Sequence, residues 1–188
     1  MGRASDGSLL PDPHYCEVRG RAAEISRALG SQVAGAEHLF LGMLHDGGWP
    51  VTVISPLADP DRAEAAVLGI IGSPGYTAPS LPRFLSRDVH VQTWGADIAV
   101  ELGDSYLGLE HAFLAMIRRR ETVPARALAG LADLDALEAA VLAARSGPTA
   151  GPPADAVFRR RGTGRLAGHG YQRRAAGRHH VRLPYRRG

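Results

Sequence analysis

Lysine is missing from this 188-residue chain: all 22 basic residues are arginine. A Walker A loop, GxxxxGK(S/T), needs a lysine amine at the nucleotide phosphates, so the chain is not by itself a nucleotide-driven machine. A single cysteine, Cys16, excludes an internal disulfide and fits a reducing compartment. Aromatic residues make up only 6%, so a core built from the 45% apolar residues must be mostly aliphatic. No run approaches the ~20 apolar residues of a membrane span. The opening MGRASDGSLLPDP also has no apolar signal core. A soluble, cytoplasmic protein without membrane association is the expectation.

What is present is divided unevenly. Up to Arg145 there are 12 Arg against 18 acidic residues, a balance of −6. From Ser146 onward 10 Arg face one acid, Asp155, a balance of +9. That last segment of 43 residues carries 8 Gly and 4 Pro and almost no apolar periodicity, so it is predicted to be a disordered tail.

Within the acidic part, residues 22–44 (AAEISRALGSQVAGAEHLFLGML) recur 73 positions later as residues 95–117 (GADIAVELGDSYLGLEHAFLAMI). Ten of the 23 aligned positions are identical without a gap, among them Gly30/Gly103, Gly35/Gly108, Glu37/Glu110, His38/His111 and Phe40/Phe113. Such self-similarity means two copies of one helical unit, related by an approximate two-fold. Helices are predicted over 15–29 and 87–102, each ended by a glycine suited to a left-handed cap, Gly30 or Gly103. A second helix follows Gly35 and Gly108. Its apolar residues, Ala36, Leu39, Phe40, Met43 and Leu44 in the first copy, form the stripe of a core-facing helix. Further helices are predicted over 61–71 and 134–144, with short ones around 50–57 and 123–131. No stretch alternates with period two, so the fold class is all-α, a double-repeat helical bundle. The expected organisation is a flexible segment 1–10, a domain 11–145 and the tail 146–188. Within the domain, repeat one is 11–72, a proline-rich linker 73–83, and repeat two 84–145.

The order helix, Leu-Gly, a few polar residues, Gly-x-Glu-His and apolar helix, present twice, resembles the Clp repeat domain. This is the N-terminal domain of unfoldases of the ClpA and ClpC type. The resemblance spans about residues 11–145 and is carried by the paired GxEHxFLxM segments. It does not extend over the tail. The expectation is a stand-alone copy without the ATPase modules that normally follow, as in small proteins that keep only this domain. The resemblance implies a chaperone-related, non-catalytic recognition domain, without cofactor, that receives substrates and adaptor proteins for an unfoldase and its peptidase. In ClpC-type domains the glutamate of each Gly-x-Glu-His is associated with phosphorylated arginine; Glu37 and Glu110 occupy those positions.

The residues themselves support a paired site. Glu37 and Glu110 fall in the first turn of a helix, where unpaired N–H groups and the positive end of the dipole favour an anion. Either each carboxylate merely steadies its helix terminus, or it receives a planar guanidinium beside N–H donors for an anionic group. The second arrangement suits arginine or phosphoarginine. Asp12 and Leu85 align where the resembling domains carry a threonine at the start of each repeat. An aspartate repels a phosphate and a leucine supplies no hydroxyl. Phosphate binding is therefore expected to suffer most at the first site, beside Asp12. The second site, with Ser86 and Arg87 as donors, is expected to retain an anionic ligand better.

Other constellations are weaker. His38 and His111 adjoin the glutamates, but Glu-His is not HExxH, and Arg118 aligns with His45. Packing or a cap contact fits these histidines better than a metal. Cys16 near His14 lacks an orienting partner and oxyanion donors and reads as a buried or incidental cysteine. No Ser-His-Asp set stands out, so the chain is expected not to be an enzyme. Phe84 aligns with an aromatic on the surface where ClpC-type domains bind cyclic peptides. It is a candidate hydrophobic ligand contact, with packing between repeats as the alternative. The matching aromatic is missing around Ser8, Leu9 and Leu10. Trp49 and Trp94 read as packing or surface residues.

The tail adds a different chemistry. Its RRRGTGR at 159–165 suits phosphate contacts to nucleic acid, although only Tyr171 and Tyr185 are available for stacking. It is otherwise a solvated appendage, or an internal competitor reaching Glu37 and Glu110. The function expected is modulation of Clp-dependent proteolysis by binding substrates, adaptors or arginine- or phosphoarginine-bearing peptides. The alternatives are sequestration of cyclic peptides and nucleic-acid association through the tail.

Overall fold

A computed structural model describes residues 9–31, 33–72 and 87–145, the last from the backbone alone at 87–89. The expectations for the linker, Phe84, Leu85, Ser86 and the basic tail lie outside these residues.

Helix α1 (Pro13–Ala28) begins where Asp12 accepts the Tyr15 N–H at 2.5 Å and Pro13 takes the first turn, in which a missing N–H costs nothing. It ends before Gly30, whose φ of 69° is left-handed, as Gly103 with φ of 75° ends its counterpart α5 (Arg87–Glu101). The second helices are α2 (Ala36–Asp46) and α6 (Leu109–Arg118). Short helices α3 (Val51–Ile54) and α7 (Val123–Ala129) follow, then α4 (Pro60–Ile71) and α8 (Leu134–Arg145). Asp59 and Thr122 cap α4 and α7, accepting the N–H of Arg62 at 2.8 Å and of Ala125 at 3.2 Å. The fold is the all-α double repeat expected from the periodicity.

One element departs from that expectation. Strands β1 (Leu10–Pro11) and β2 (Tyr106–Leu107) pair in parallel, Leu10 opposite Tyr106 and Pro11 opposite Leu107. Two residues are too few to show a period of two. The pairing also corrects the expectation of a flexible segment through residue 10: Leu9 is buried and Leu10 lies in a strand. The backbone of repeat one thus crosses to repeat two before α1 begins.

The same exchange runs through the core. Within each repeat α1 packs on α2 and α5 on α6; across the repeats α3 packs on α8 and α4 on α7. Helices α2 and α6 occupy the centre. Every residue from Glu37 to Asp46 and from Leu109 to Ile117 is buried. Phe40 and Phe113 meet with ring centroids 6.1 Å apart. Burial of each such side chain is worth about 1.5–3 kcal/mol, so these two helices anchor the domain. Their N-termini carry the candidate site.

Candidate functional site

Gly35 and Gly108 are the N-cap residues of α2 and α6, with extended backbone (φ −129° and −109°). Glycine has no side chain with which to cap, and the third helical residue does it instead. His38 Nδ1 accepts the Gly35 N–H at 3.0 Å, and His111 Nδ1 accepts the Gly108 N–H at 2.9 Å. An acceptor nitrogen bears no proton, so each ring carries its hydrogen on Nε2. In repeat two that proton is donated to Asp104 Oδ2 at 2.6 Å. The aligned residue in repeat one is Ser31. His38 and His111 therefore make the cap contact expected of them. The approach of His38 Nδ1 to Glu37 at 3.4 Å, and of His111 Nδ1 to Glu110 at 3.6 Å, brings two acceptors together and is no ion pair.

The glutamates turn back over their own N-caps. A Cβ on Gly35 would lie 2.7 Å from a Glu37 carboxylate oxygen, and one on Gly108 would meet Glu110 in the same way. The two glycines recur because the carboxylates occupy the space of a side chain. Glu37 and Glu110 are both buried, 5% and 4% exposed, at the positive end of a helix. That placement meets the helix-steadying reading directly. It also leaves each carboxylate against the N-cap glycine of its helix, the end of the helix that the recognition reading uses.

The two sites differ in what surrounds them. Glu110 Oε1 accepts the Tyr106 hydroxyl at 2.7 Å, and Oε2 accepts the Trp49 indole N–H at 3.3 Å. Burial, the hydrogen bond to Glu110 and its charge push the Tyr106 phenol well above the usual range for tyrosine. Trp49 comes from repeat one and reaches across to repeat two. It packs against the core, as a packing residue should, and it also touches the candidate site. Neither Tyr106 nor Trp49 was singled out from sequence as a site residue. A signal was available for Tyr106, which stands four residues before Glu110, whereas Trp49 is 61 positions away.

Asp12 is carried to repeat two, where the charge of Glu110 acts on it. Its N–H donates to Leu107 O at 2.9 Å, since β1 has carried the chain onto β2. Burial raises the Asp12 carboxyl above its ordinary value and the charge of Glu110 adds to the rise, while the Tyr15 N–H, His14 and His111 act in the other direction. The negative charge of Asp12, expected to weigh on the first site, thus also acts in repeat two. Arg87 opens α5, with its side chain outside the described residues; Ser86 and Phe84 lie outside altogether.

Elsewhere, Cys16 is exposed, which corrects the buried alternative, and His14 Nε2 is hydrogen-bonded to Asp46 at 2.9 Å. His45 Nε2 lies 3.1 Å from Glu64. Trp94 packs partly against the core, with the Arg119 guanidinium 4.0 Å from its ring centroid. Among the described residues no helix is long and apolar enough to cross a membrane.

The chain is similar to known proteins over this same region. A ClpA homolog of the ATP-binding subunit of ATP-dependent Clp protease from Guillardia theta is 35% identical over 114 residues, 59% of this chain and 14% of that protein. The chloroplastic chaperone protein ClpC of Pisum sativum is 34% identical over 113 residues, 58% of this chain and 12% of that protein. The chain thus spans about one seventh or less of these relatives. The crystal structure of the N-terminal domain of the caseinolytic protease associated chaperone ClpD from Arabidopsis thaliana superposes with a TM-score of 0.60. It covers 78% of this chain and all of that one at 17% identity, a likeness of fold. The profile of the Clp repeat (R) N-terminal domain matches residues 15–131, more than half of the chain, from within α1 to just past α7 and across both Gly-x-Glu-His motifs. The chain therefore belongs to the Clp repeat N-terminal domain family.

Proposed function

We propose that this protein is a non-catalytic recognition module that binds arginine-bearing segments of substrates or adaptors and so modulates Clp-dependent proteolysis. The observation that supports the reading is the duplicated helix start, in which the Gly-x-Glu-His glutamate is buried against its N-cap glycine twice. A carboxylate of this kind complements a guanidinium by charge-assisted hydrogen bonds, worth about twice a neutral one. Phosphoarginine fits less well beside Glu110, because the Asp12 carboxyl adds acidic charge in the same repeat. The test is calorimetric titration of the protein with matched peptides carrying arginine, phosphoarginine or lysine. Binding of an arginine or phosphoarginine peptide, lost in the double variant Glu37→Gln/Glu110→Gln, supports the reading; binding of neither peptide removes it.

The charge division favours a second reading, nucleic-acid binding through residues 146–188. It requires affinity that falls steeply with salt and disappears when those residues are deleted.

A further inference from the structure

The histidine cap of repeat two is held by contacts that run out of the duplicated motif. His111, fully buried, donates its Nε2 proton to Asp104 Oδ2 at 2.6 Å. The same oxygen accepts from the Arg145 guanidinium, 41 positions on in the last turn of α8. Arg145 Nη2 also donates to Leu102 O at 3.4 Å. On the other side of the ring, Nδ1 accepts the Gly108 N–H at 2.9 Å. A ring makes both bonds only when it is neutral; an imidazolium would set a second N–H against that of Gly108. Carboxylates press on this ring from several sides: Asp104 directly, Glu110 at 3.6 Å from Nδ1, and Asp12 by its charge at the head of α1. Tyr106 meets it edge-on, with ring centroids 5.3 Å apart. Negative charge favours an imidazolium, and the Arg145 charge seated on Asp104 opposes it. That charge also reaches Tyr106, which holds Glu110 Oε1. Ser31 and Gly72 align with Asp104 and Arg145 in repeat one, and neither residue type brings a carboxylate or a guanidinium.

We propose that Asp104 and Arg145 are positioning residues for the Glu110 site: they keep His111 in the tautomer that caps α6, and the cap holds Glu110 over Gly108. As a statement about binding this rests on the arginine reading above; as a statement about the ring it does not. The last turn of α8 thereby becomes part of a site to which nothing in the Gly-x-Glu-His motif connects it.

The test is nitrogen NMR of the histidine rings in the full chain at about pH 7, where an unperturbed histidine is mostly neutral. The His38 ring, which caps α2, is the internal control for folding. In wild type His111 Nδ1 is unprotonated and shows a scalar coupling to the Gly108 amide across their hydrogen bond. Arg145→Gln keeps a hydrogen-bonding side chain but removes the charge. It should weaken that coupling and move both nitrogens of His111 toward imidazolium shifts, with His38 unchanged. Arg145→Lys, which keeps the charge, should preserve the wild-type ring. Asp104→Ala should weaken the coupling without charging the ring, and Asp104→Asn, which keeps the acceptor oxygen, should restore it. An unchanged His111 ring in folded Arg145→Gln overturns the role of Arg145; an unchanged ring in Asp104→Ala overturns the whole proposal. Calorimetry with an arginine-bearing peptide adds the site itself, where Arg145→Gln should weaken binding about fivefold. Wild-type affinity in a variant whose ring has changed overturns the positioning of the site. No binding by wild type overturns the arginine reading, and the ring spectra decide the His111 tie without it.

Discussion

Repeat one ties its first helix to its second through Arg21 and Asp46, with Arg21 Nη1 3.2 Å from Asp46 Oδ1. At the aligned positions repeat two uses Trp94 and Arg119, an arginine stacked 4.0 Å from an indole centroid. The cation has moved from the first helix to the second, and its partner has changed from a carboxylate to an aromatic face. The tethers to the last helices differ in a similar way: His45 with Glu64 at 3.1 Å in one copy, Arg118 with Glu138 at 2.9 Å in the other. Backbone geometry and apolar packing are held in common, while the polar contacts around them have been exchanged. The candidate site follows this rule, since the histidine caps match, while Asp104, which holds the outer nitrogen of His111, aligns with Ser31.

The shared part of the comparison predicts the largest effects. Phe40→Ala and Phe113→Ala each remove a fully buried ring from the contact between α2 and α6, at a cost of about 3–5 kcal/mol in chemical denaturation. The costs should agree within about 1 kcal/mol if the two copies are equivalent at their centre; a wide gap would break the two-fold.

An intermediate effect separates the sites. Alanine at Gly35 or Gly108 puts a methyl group against the glutamate two residues on. Glu110 is pinned by Tyr106 and Trp49, so Gly108→Ala should cost about 1–3 kcal/mol by overpacking. Gly35→Ala should cost less, because a methyl there stands farther from its carboxylate than one at Gly108, and Gly108→Ala/Glu110→Ala should recover much of the loss. Equal costs in the two repeats would erase the distinction drawn at the carboxylates.

The smallest effect belongs to repeat one alone. Its Asp46 hydrogen bond holds the His14 imidazolium above its ordinary value near 6.5, against the burial of the ring. Burial raises Asp46, but His14 and Arg21 outweigh it and bring the carboxyl below 3.8. Asp12, Glu17 and Arg21 are the other charges that face the pair. The histidine contribution is complete below its unfolded value and is lost as pH rises through the raised one. The aspartate contribution is present above its unfolded value and is lost on acidification. The pair therefore stabilises most between about pH 4 and 6.5. His14→Asn should cost about 1 kcal/mol in thermal melts at about pH 5.5, and clearly less at about pH 9. A pH-independent cost would remove the ionic part of this tie.

The internal repeat and the apolar stripes made the helices, their glycine ends and the place of Glu37 and Glu110 legible. All of these depend on residues close in sequence. The crossing of β1 onto β2 was not legible, since two residues carry no period. Asp12 was consequently assigned to its own repeat, when the fold also carries it to the other. Trp49 at Glu110 was hidden for a related reason. It is a contact between copies, and an alignment of one copy on the other sees only what each keeps to itself.

The crossed packing has a consequence for how such a domain arises. A single copy would leave α3 and α4 facing no α8 and α7, and its first strand without the second. Two identical single copies would satisfy these needs mutually, through a self-complementary patch, as an isologous dimer. Joining them head to tail makes an association that once depended on concentration intramolecular. Once fused, the halves are encoded separately, and a residue such as Trp49 can change in one without its image changing in the other. The asymmetry at Glu110 is a freedom that a symmetric pair of separate chains does not have.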